Sequence, residues 1–416
     1  MSYSEKWDRR ISWALMWSFI ANALNYSIKS VFPISTSMWR LLSIIVAISI
    51  LVAYLYCLGK VWKRVSRILF YSILIFGIIY GFSILLSVSR GDPINIVKES
   101  ARSTFLFFIP AGVFAVAVID KSILYETMLK ASYLLSAMML FRMFVNYNPL
   151  YESIESTEYS MSFGYIIIVP TLLHLHEYIR TRRTFLLLLF IIELFGILIF
   201  ASRGILLSVF ALVIYEGLLG MKRGAKKTIF IVLMLGFVAT YLQYGDRLLY
   251  SAIGTLESQG IHSRTLTMMD NGTLDSDSGR DYLFKLSYIL IQEEPLLGWG
   301  VGGECYEFNK YLHNDEANIA CTSHNGILQA MVQLGIPLGL LLSILIIFPI
   351  FKAHTIEDDY MRNIIIVYYC AFAVPCVTYS SGFLIQPQIA IYMYLYYISF
   401  KKHKRLQTTH YHHGIS

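Results

Sequence analysis

The feature that most restricts this chain is a succession of apolar stretches, each long enough to cross a lipid bilayer as a helix. About 20 mostly apolar residues are needed for that. Runs of this kind fall near residues 11–28, 41–59, 68–88, 103–119, 123–145, 159–179, 184–201, 204–220, 228–244, 325–351, 362–380 and 383–400. In hydrocarbon a spanning segment must satisfy its own backbone groups, which a helix does. The expected architecture is an all-α polytopic membrane protein with about twelve transmembrane helices. Composition agrees. The 416 residues are 56% hydrophobic and 15% charged, whereas soluble domains run at about 45–50% apolar and roughly 25% charged. The first run is interrupted by Asn22, Asn25 and Ser27. The tenth begins with polar residues and carries Gly335-Ile336-Pro337, which reads as a short re-entrant piece followed by a full span.

Lysine and arginine set the orientation. With the N-terminus cytoplasmic, the inner loops collect Lys6, Arg9, Arg10, Lys60, Lys63, Arg64, Arg67, Arg180, Arg182 and Arg183, then the cluster Lys222 to Lys227 and the tail from Lys401. Roughly 21 basic residues fall on that face against roughly 11 on the other, so both termini are expected in the cytoplasm. Met1 to Arg10 is charged and no small-residue cleavage site follows, so the start of the chain reads as retained rather than as a cleaved signal. The expected organisation is an N-terminal bundle over 1–244, a large extracytoplasmic loop over 245–324, C-terminal spans over 325–400 and a basic cytoplasmic tail over 401–416. The loop has its own helical signal: Tyr282, Leu283, Leu286, Ile289 and Leu290 share one side of a helix from Arg280 to Gln292. Its aromatic residues Trp299, Tyr306, Phe308 and Tyr311 point to an ordered cap.

Several functions are excluded on the way. The net charge of +7 is dispersed in short clusters between apolar runs, so there is no nucleic-acid footprint. Five cysteines make no disulfide scaffold and no zinc spacing. Gly298-x-Gly300-x-Gly302 lacks the strand that precedes a dinucleotide site. Asp275-Ser276-Asp277 resembles a metal motif but lies in a Ser/Gly/Asp loop, and no metal or cofactor is expected. Cys305 and Cys321 share the outer loop; a disulfide between them would close about 15 residues and contribute roughly 3 kcal/mol. Cys57, Cys370 and Cys376 lie in apolar runs and read as packing residues.

Ionisable groups at membrane depth are functional candidates, and three clusters on the outer side qualify. Ser202-Arg203-Gly204 forms a very tight hairpin between two runs, which holds Arg203 at the membrane surface. Gly279-Arg280-Asp281 opens the loop helix. Thr322-Ser323-His324-Asn325-Gly326 heads the tenth run, with Ser323 as the expected N-cap and His324 in the first turn. Each has an ordinary reading when taken singly: a snorkelling arginine, a capped helix start, a structural histidine. Lys130, Glu193 and Glu216 also sit within runs, the two acids with no partner assignable from sequence.

Taken together, an arginine at a tight outer hairpin, an arginine opening a loop helix, Pro295-Leu296-Leu297-Gly298-Trp299-Gly300 and a His-Asn pair ahead of Gly335-Ile336-Pro337-Leu338-Gly339 resemble the bacterial O-antigen polymerase and O-antigen ligase superfamily. The resemblance is specific over about residues 195–345. Pro337 departs from it, standing where the usual sequence has a second glycine. The resemblance implies a GT-C-like membrane glycosyltransferase in the bacterial cytoplasmic membrane, acting on glycans linked to undecaprenyl diphosphate. It implies His324, Arg203 and Arg280 as catalytic residues: a neutral imidazole to deprotonate a sugar hydroxyl, and two guanidinium forks to hold the departing diphosphate. Asn325, Arg142, Asp281 and Gln329 are the candidate substrate contacts. Membrane glycosyltransferases with lipid-linked donors often place an acid in the first outer loop; here Lys29 to Arg40 holds no Asp or Glu, which favours the His/Arg arrangement. The expected partners are the lipid-linked glycan, an acceptor glycan, membrane lipid, a flippase and a chain-length regulator. A polymerase is the first reading, with a ligase and a polytopic transporter or lipid flippase as alternatives.

Overall fold

The structure is a computed structural model that describes residues 2–32, 35–147, 161–200, 203–220, 280–312, 323–378 and 383–399, with isolated positions at 224, 228, 232, 251, 254 and 255. All regular elements among the described residues are helical. In chain order they are α1 (Tyr3–Val31), α2 (Thr36–Arg90), α3 (Asn95–Ser103), α4 (Ile109–Ala117), α5 (Lys121–Tyr147), α6 (Met161–Thr181), α7 (Thr184–Phe200), α8 (Arg203–Tyr215), α9 (Arg280–Glu293), α10 (Glu304–Leu312), α11 (Gly326–Ile347) and α12 (Asp359–Tyr368). Residues 387–399 form a last helix, α13. Among the described residues, four stretches are long and apolar enough to cross a membrane: Thr36–Arg90, Asn95–Ala117, Gly326–Thr355 and Asp359–Val377, with shorter apolar helices at Thr184–Leu198 and Ile205–Leu218. The chain is a multi-pass membrane protein. The expected run at 228–244 and most of the expected loop lie outside the described residues.

Two departures from the expected runs have local causes. Runs 41–59 and 68–88 form a single helical element of 55 residues. At 1.5 Å per residue that is about 80 Å, well over twice a hydrocarbon core. Its one non-helical residue is Val65 (φ −138, ψ 25), inside the basic stretch from Lys60 to Arg67, so the two expected spans part there. The run at 103–119 begins earlier, at Asn95, and contains a π turn over Thr104–Phe108. Pro110, two residues after it, has no N–H to return to the preceding turn, which fits a widened turn at that point.

The chain divides into two compact units. One comprises Met1–Leu15, Tyr56–Tyr125 and Asp277–Ser416; the other comprises Met16–Leu55 and Glu126–Ser276. The first unit draws on both ends of the chain.

In the first unit, one end of the bundle is closed by charges. Asp8, 2% exposed, accepts from Arg64 and from the backbone N–H groups of Ile119 and Asp120 (both 3.2 Å). Arg64 also donates to the Ala117 carbonyl (2.9 Å). Lys121 is buried and donates to the carbonyls of Ala115 (2.9 Å), Val116 (3.2 Å) and Val118, capping the end of α4. These satisfy carbonyls that a helix C-terminus leaves open. Farther along, the Tyr80 hydroxyl and Thr104 Oγ1 lie 2.7 Å apart, and Thr104 Oγ1 donates to the Leu384 carbonyl (2.9 Å). This ties α2, the π turn and the approach to α13.

The second unit packs α1 against α2 through Ala21, Val46, Ile50 and Tyr54, with Lys29 Nζ donating to Ser43 Oγ (2.6 Å). It also supplies the partners that sequence left open for two acids. His174 and Glu193, both fully buried, meet at 2.9 Å between Nδ1 and Oε1. Ser136 donates to the same Glu193 oxygen, and the Tyr133 ring stacks on His174 at 5.1 Å. Glu216 meets His176 at 2.7 Å. Carboxylates and imidazoles inside the apolar layer are thus paired with each other, as burial of charge demands.

Candidate active site

The site is built on a broken helix. Gly335 (φ 76, ψ 168) interrupts α11, and Pro337 lies two residues on. The break frees carbonyls that an unbroken helix would use. Trp299 N–H donates to the Val332 carbonyl (2.8 Å), Gly300 N–H to the Gln333 carbonyl (2.9 Å), and Ile336 N–H to the Pro295 carbonyl (2.8 Å). Two motifs that stand 33 residues or more apart in sequence, the Pro-Leu-Leu-Gly-Trp-Gly turn and the Gly-Ile-Pro break, are therefore halves of one backbone joint. Its glycines are required by conformation and space: Gly298 and Gly335 have φ of +68 and +76, and a Cβ on Gly335 would stand 2.2 Å from the Leu296 carbonyl oxygen.

The joint also explains why the glycine run is no anion cradle. Its N–H groups are already engaged: Gly298 to Glu294 O (3.2 Å), Val301 to Ser83 Oγ (2.9 Å) and Gly302 to Glu304 Oε2 (2.6 Å) join those of Trp299 and Gly300. Arg90, at the end of α2, covers the turn. Its guanidinium lies 4.2 Å from the Trp299 ring centroid, donates to the Trp299 carbonyl (3.3 Å) and pairs with Glu294 (3.3 Å).

Immediately upstream of α11 sits His324, with φ 52. Left-handed backbone is uncommon for a residue with a side chain, though histidine tolerates it better than most. A bracket holds it. The Ser323 hydroxyl reaches across the histidine, donating to the Asn325 carbonyl (2.7 Å) and accepting from the Asn325 N–H (3.3 Å). Asn325 Oδ1 in turn accepts from Ile327 N (3.0 Å) and Leu328 N (3.1 Å). The N-cap is therefore Asn325 and not Ser323 as expected. The left-handed turn at His324 places Asn325 in the extended conformation a cap needs, and His324 stands before the cap instead of within the first turn.

Gln329 was expected to contact substrate; its amide is engaged inside the protein. It is 2% exposed, accepts from Ser323 N–H through Oε1 (2.7 Å) and donates to Glu304 Oε1 (2.7 Å). Gln333 donates to the same carboxylate oxygen. Glu304, the first residue of α10, was not singled out from sequence. Burial pushes its carboxyl up to about 7, against the pull of the hydrogen bonds from Gln333, Gln329 and Gly302. Its two glutamine partners lie 25 and 29 residues away, beyond the reach of any local pattern.

The other candidates divide between the units. Arg280 and Asp281 open α9, which packs on α10 and α11 through Leu286, Leu290, Phe308, Leu328 and Val332. The helix of Arg280 and the helix below His324 thus share one core. Arg203 opens α8 in the second unit. The side chains of Arg203, Arg280 and Asp281 lie outside the described residues. Arg142, also in the second unit, is 8% exposed. Its guanidinium donates to the Tyr26 hydroxyl and lies 4.3 Å from the Tyr26 ring and 5.7 Å from that of Phe163. Its Nε is buried without a hydrogen-bond partner, and no acid pairs with it among the described residues.

Cys305 is disulfide-bonded, whereas Cys57, Cys370 and Cys376 are buried free thiols. Cys321 and Asp275 to Asp277 lie outside the described residues. Lys310 pairs with Glu307 (2.5 Å) and Asp92 (3.6 Å).

Compared with known proteins, residues 185–343 match the family model described as O-antigen ligase. That segment contains Arg203, Arg280, the glycine turn, His324 and the Gly335 break. The chain therefore carries an O-antigen ligase family domain and is a membrane enzyme of the O-antigen polymerase and ligase type, which leaves the transporter alternative without support. No curated protein matches it significantly.

Proposed function

We propose that this O-antigen ligase family enzyme is a polysaccharide polymerase that moves a growing glycan from undecaprenyl diphosphate to the next lipid-linked repeat unit. About twelve spans, both termini in the cytoplasm and a catalytic face turned outward complete the reading. The observation that carries it is His324, held left-handed by a purpose-built bracket at the head of a broken helix. Backbone strain of this kind clusters at functional sites, where surrounding structure enforces it. The disulfide at Cys305 supports the outward face, since such bonds persist in oxidising compartments.

The chemistry follows from the residue types. A neutral His324 takes the proton of an acceptor sugar hydroxyl. The freed oxygen pair attacks the anomeric carbon, whose bond to the phosphate oxygen breaks with inversion, and the electron pair leaves on the diphosphate. Arg203 and Arg280 hold that growing charge with bidentate forks. Arg142, a buried cation with no acid paired to it among the described residues, is suited to a third phosphate contact, and Asn325 and Asp281 are kept as candidate substrate contacts.

A ligase that moves the finished glycan to lipopolysaccharide core is the second reading, favoured by the description of the matched family itself. Purified protein given lipid-linked repeat units as donor and acceptor separates the two. A ladder of products supports the polymerase; transfer only to an added core acceptor replaces it with the ligase. His324→Ala is expected to abolish either reaction while leaving expression intact, and long polymer from that variant would overturn the assignment of the base.

A further inference from the structure

The carboxylate of Glu304 is an unusual thing to bury. It is 2% exposed and has no ion-pair partner among the described residues. Three donors converge on it instead: Gly302 N–H on Oε2 (2.6 Å), and the side-chain amides of Gln329 (2.7 Å) and Gln333 on Oε1. A charge left in the interior without a counter-ion is costly, and an apolar residue of similar volume would serve packing as well or better. The reason for a carboxylate lies in what its three donors belong to. Gly302 is the end of the glycine turn, Gln333 lies at the break in α11, and Gln329 bridges to the bracket of His324.

Gln329 is the informative member. A carboxamide has one end that accepts and one that donates. The Ser323 N–H can only donate, so it takes the Oε1 end (2.7 Å), and the Nε2 end is left to donate to Glu304 Oε1. Ser323 then fixes both backbone groups of Asn325 through its hydroxyl. His324 is the one residue enclosed between these two held neighbours.

We infer that Glu304 is a positioning residue, which sets the amide of Gln329 so that Ser323 and Asn325 hold His324 in its left-handed conformation. This rests on the reading of His324 as the base. Buried as it is, Glu304 acts through the groups that donate to it. It keeps the imidazole aimed. Two glutamines polarised by one carboxylate form a closed relay from the glycine turn to the catalytic loop.

The test exchanges carboxylate and carboxamide in the full-length protein, using lipid-linked repeat units as substrate. Glu304→Gln sets an amide nitrogen against donors, and Gln329→Glu sets a second carboxylate beside the first. Each is expected to lower kcat at least tenfold with the donor KM within twofold. The double variant Glu304→Gln/Gln329→Glu restores an acceptor opposite both Ser323 N–H and the residue 304 amide, so kcat should recover to within threefold of the parent. Histidine-selective NMR supplies a readout independent of turnover: the His324 ring resonances should move in each single variant and return in the double. Single variants with parental kcat and unmoved resonances would overturn the inference, and so would a folded double variant as slow as the singles. Gln333→Met removes one donor without touching the bridge; it should slow kcat less than Glu304→Gln, and an equal loss also counts against the relay. Should His324→Ala keep transferring sugar, the base assignment fails, and the ring resonances alone decide whether Glu304 positions the loop.

Discussion

Replacing His324 by alanine and by glycine separates the chemistry of that residue from its backbone. Both variants lose the imidazole and every contact it makes, so they differ by a single Cβ. At φ 52 an L-residue with a Cβ costs about 1–2 kcal/mol relative to its right-handed form. Glycine is free of that penalty but gives up roughly 0.5–1 kcal/mol of extra entropy on ordering. The glycine variant should therefore hold the start of α11 more firmly than the alanine variant, by about 0.5–1 kcal/mol. Asn325 Oδ1 caps the N–H groups of Ile327 and Leu328, so their hydrogen exchange reports the difference directly. A gap of that size means roughly two- to fivefold faster exchange at these amides in His324→Ala than in His324→Gly. Neither variant should transfer sugar. This is the reverse of the ordinary order in a helix, where alanine is the better residue. Equal or greater protection in the alanine variant would show that the chain at residue 324 is not left-handed, and the account of how the site holds its base would fall with it.

Three other outcomes are expected. Gly335→Ala forces a Cβ to 2.2 Å from the Leu296 carbonyl at a positive φ, and should destabilise the detergent-solubilised protein by more than about 2 kcal/mol in a thermal-denaturation assay; a neutral effect would mean the joint is not closed as described. Glu304 has a folded-state pKa raised from 4.5 to about 7, so the folded form binds the extra proton between those values. Its contribution to stability is present below pH 4.5 and falls as pH rises through 7, by something on the order of 3 kcal/mol. Glu304→Gln should flatten that slope in a pH series of denaturation midpoints, and an unchanged slope would exclude Glu304 as its source. Arg280→Lys and Arg203→Lys keep the charge but lose the planar fork; kcat for the lipid-linked donor should fall about 10- to 100-fold, and parental turnover would remove them from the diphosphate clamp.

Much of the scaffold was legible because membrane helices announce themselves by length and apolarity. The helix from Arg280, the polar start and glycine break of the tenth run, and the packing role of Cys57, Cys370 and Cys376 follow from local pattern alone. The π turns at Thr104–Phe108 and Tyr369–Ala373 do not, since a widened turn leaves the hydrophobic period almost unchanged. Ser323 made a reasonable cap by composition; only the left-handed residue after it hands the role to Asn325. The buried acids illustrate the same limit. Glu193 was visible as an anomaly within a span, but His174 is 19 residues away on another helix. Glu304 was not visible even as an anomaly, because it follows a glycine-rich loop where an acid looks solvated. Its meaning depends on two glutamines whose spacing of four on α11 gives them one face, a signal that becomes informative only once the acid opposite is known.

The joint between the glycine turn and the broken helix is made by main-chain atoms on both sides. Leu296 and Leu297, at its crest, are 70% and 53% exposed, and what joins them to the helix is backbone. A seam stitched from peptide groups is indifferent to what is displayed above it, so those two places accept new side chains without loosening the cradle of the histidine beneath. Evolution, or an engineer, has there a pair of free pegs beside a fixed machine.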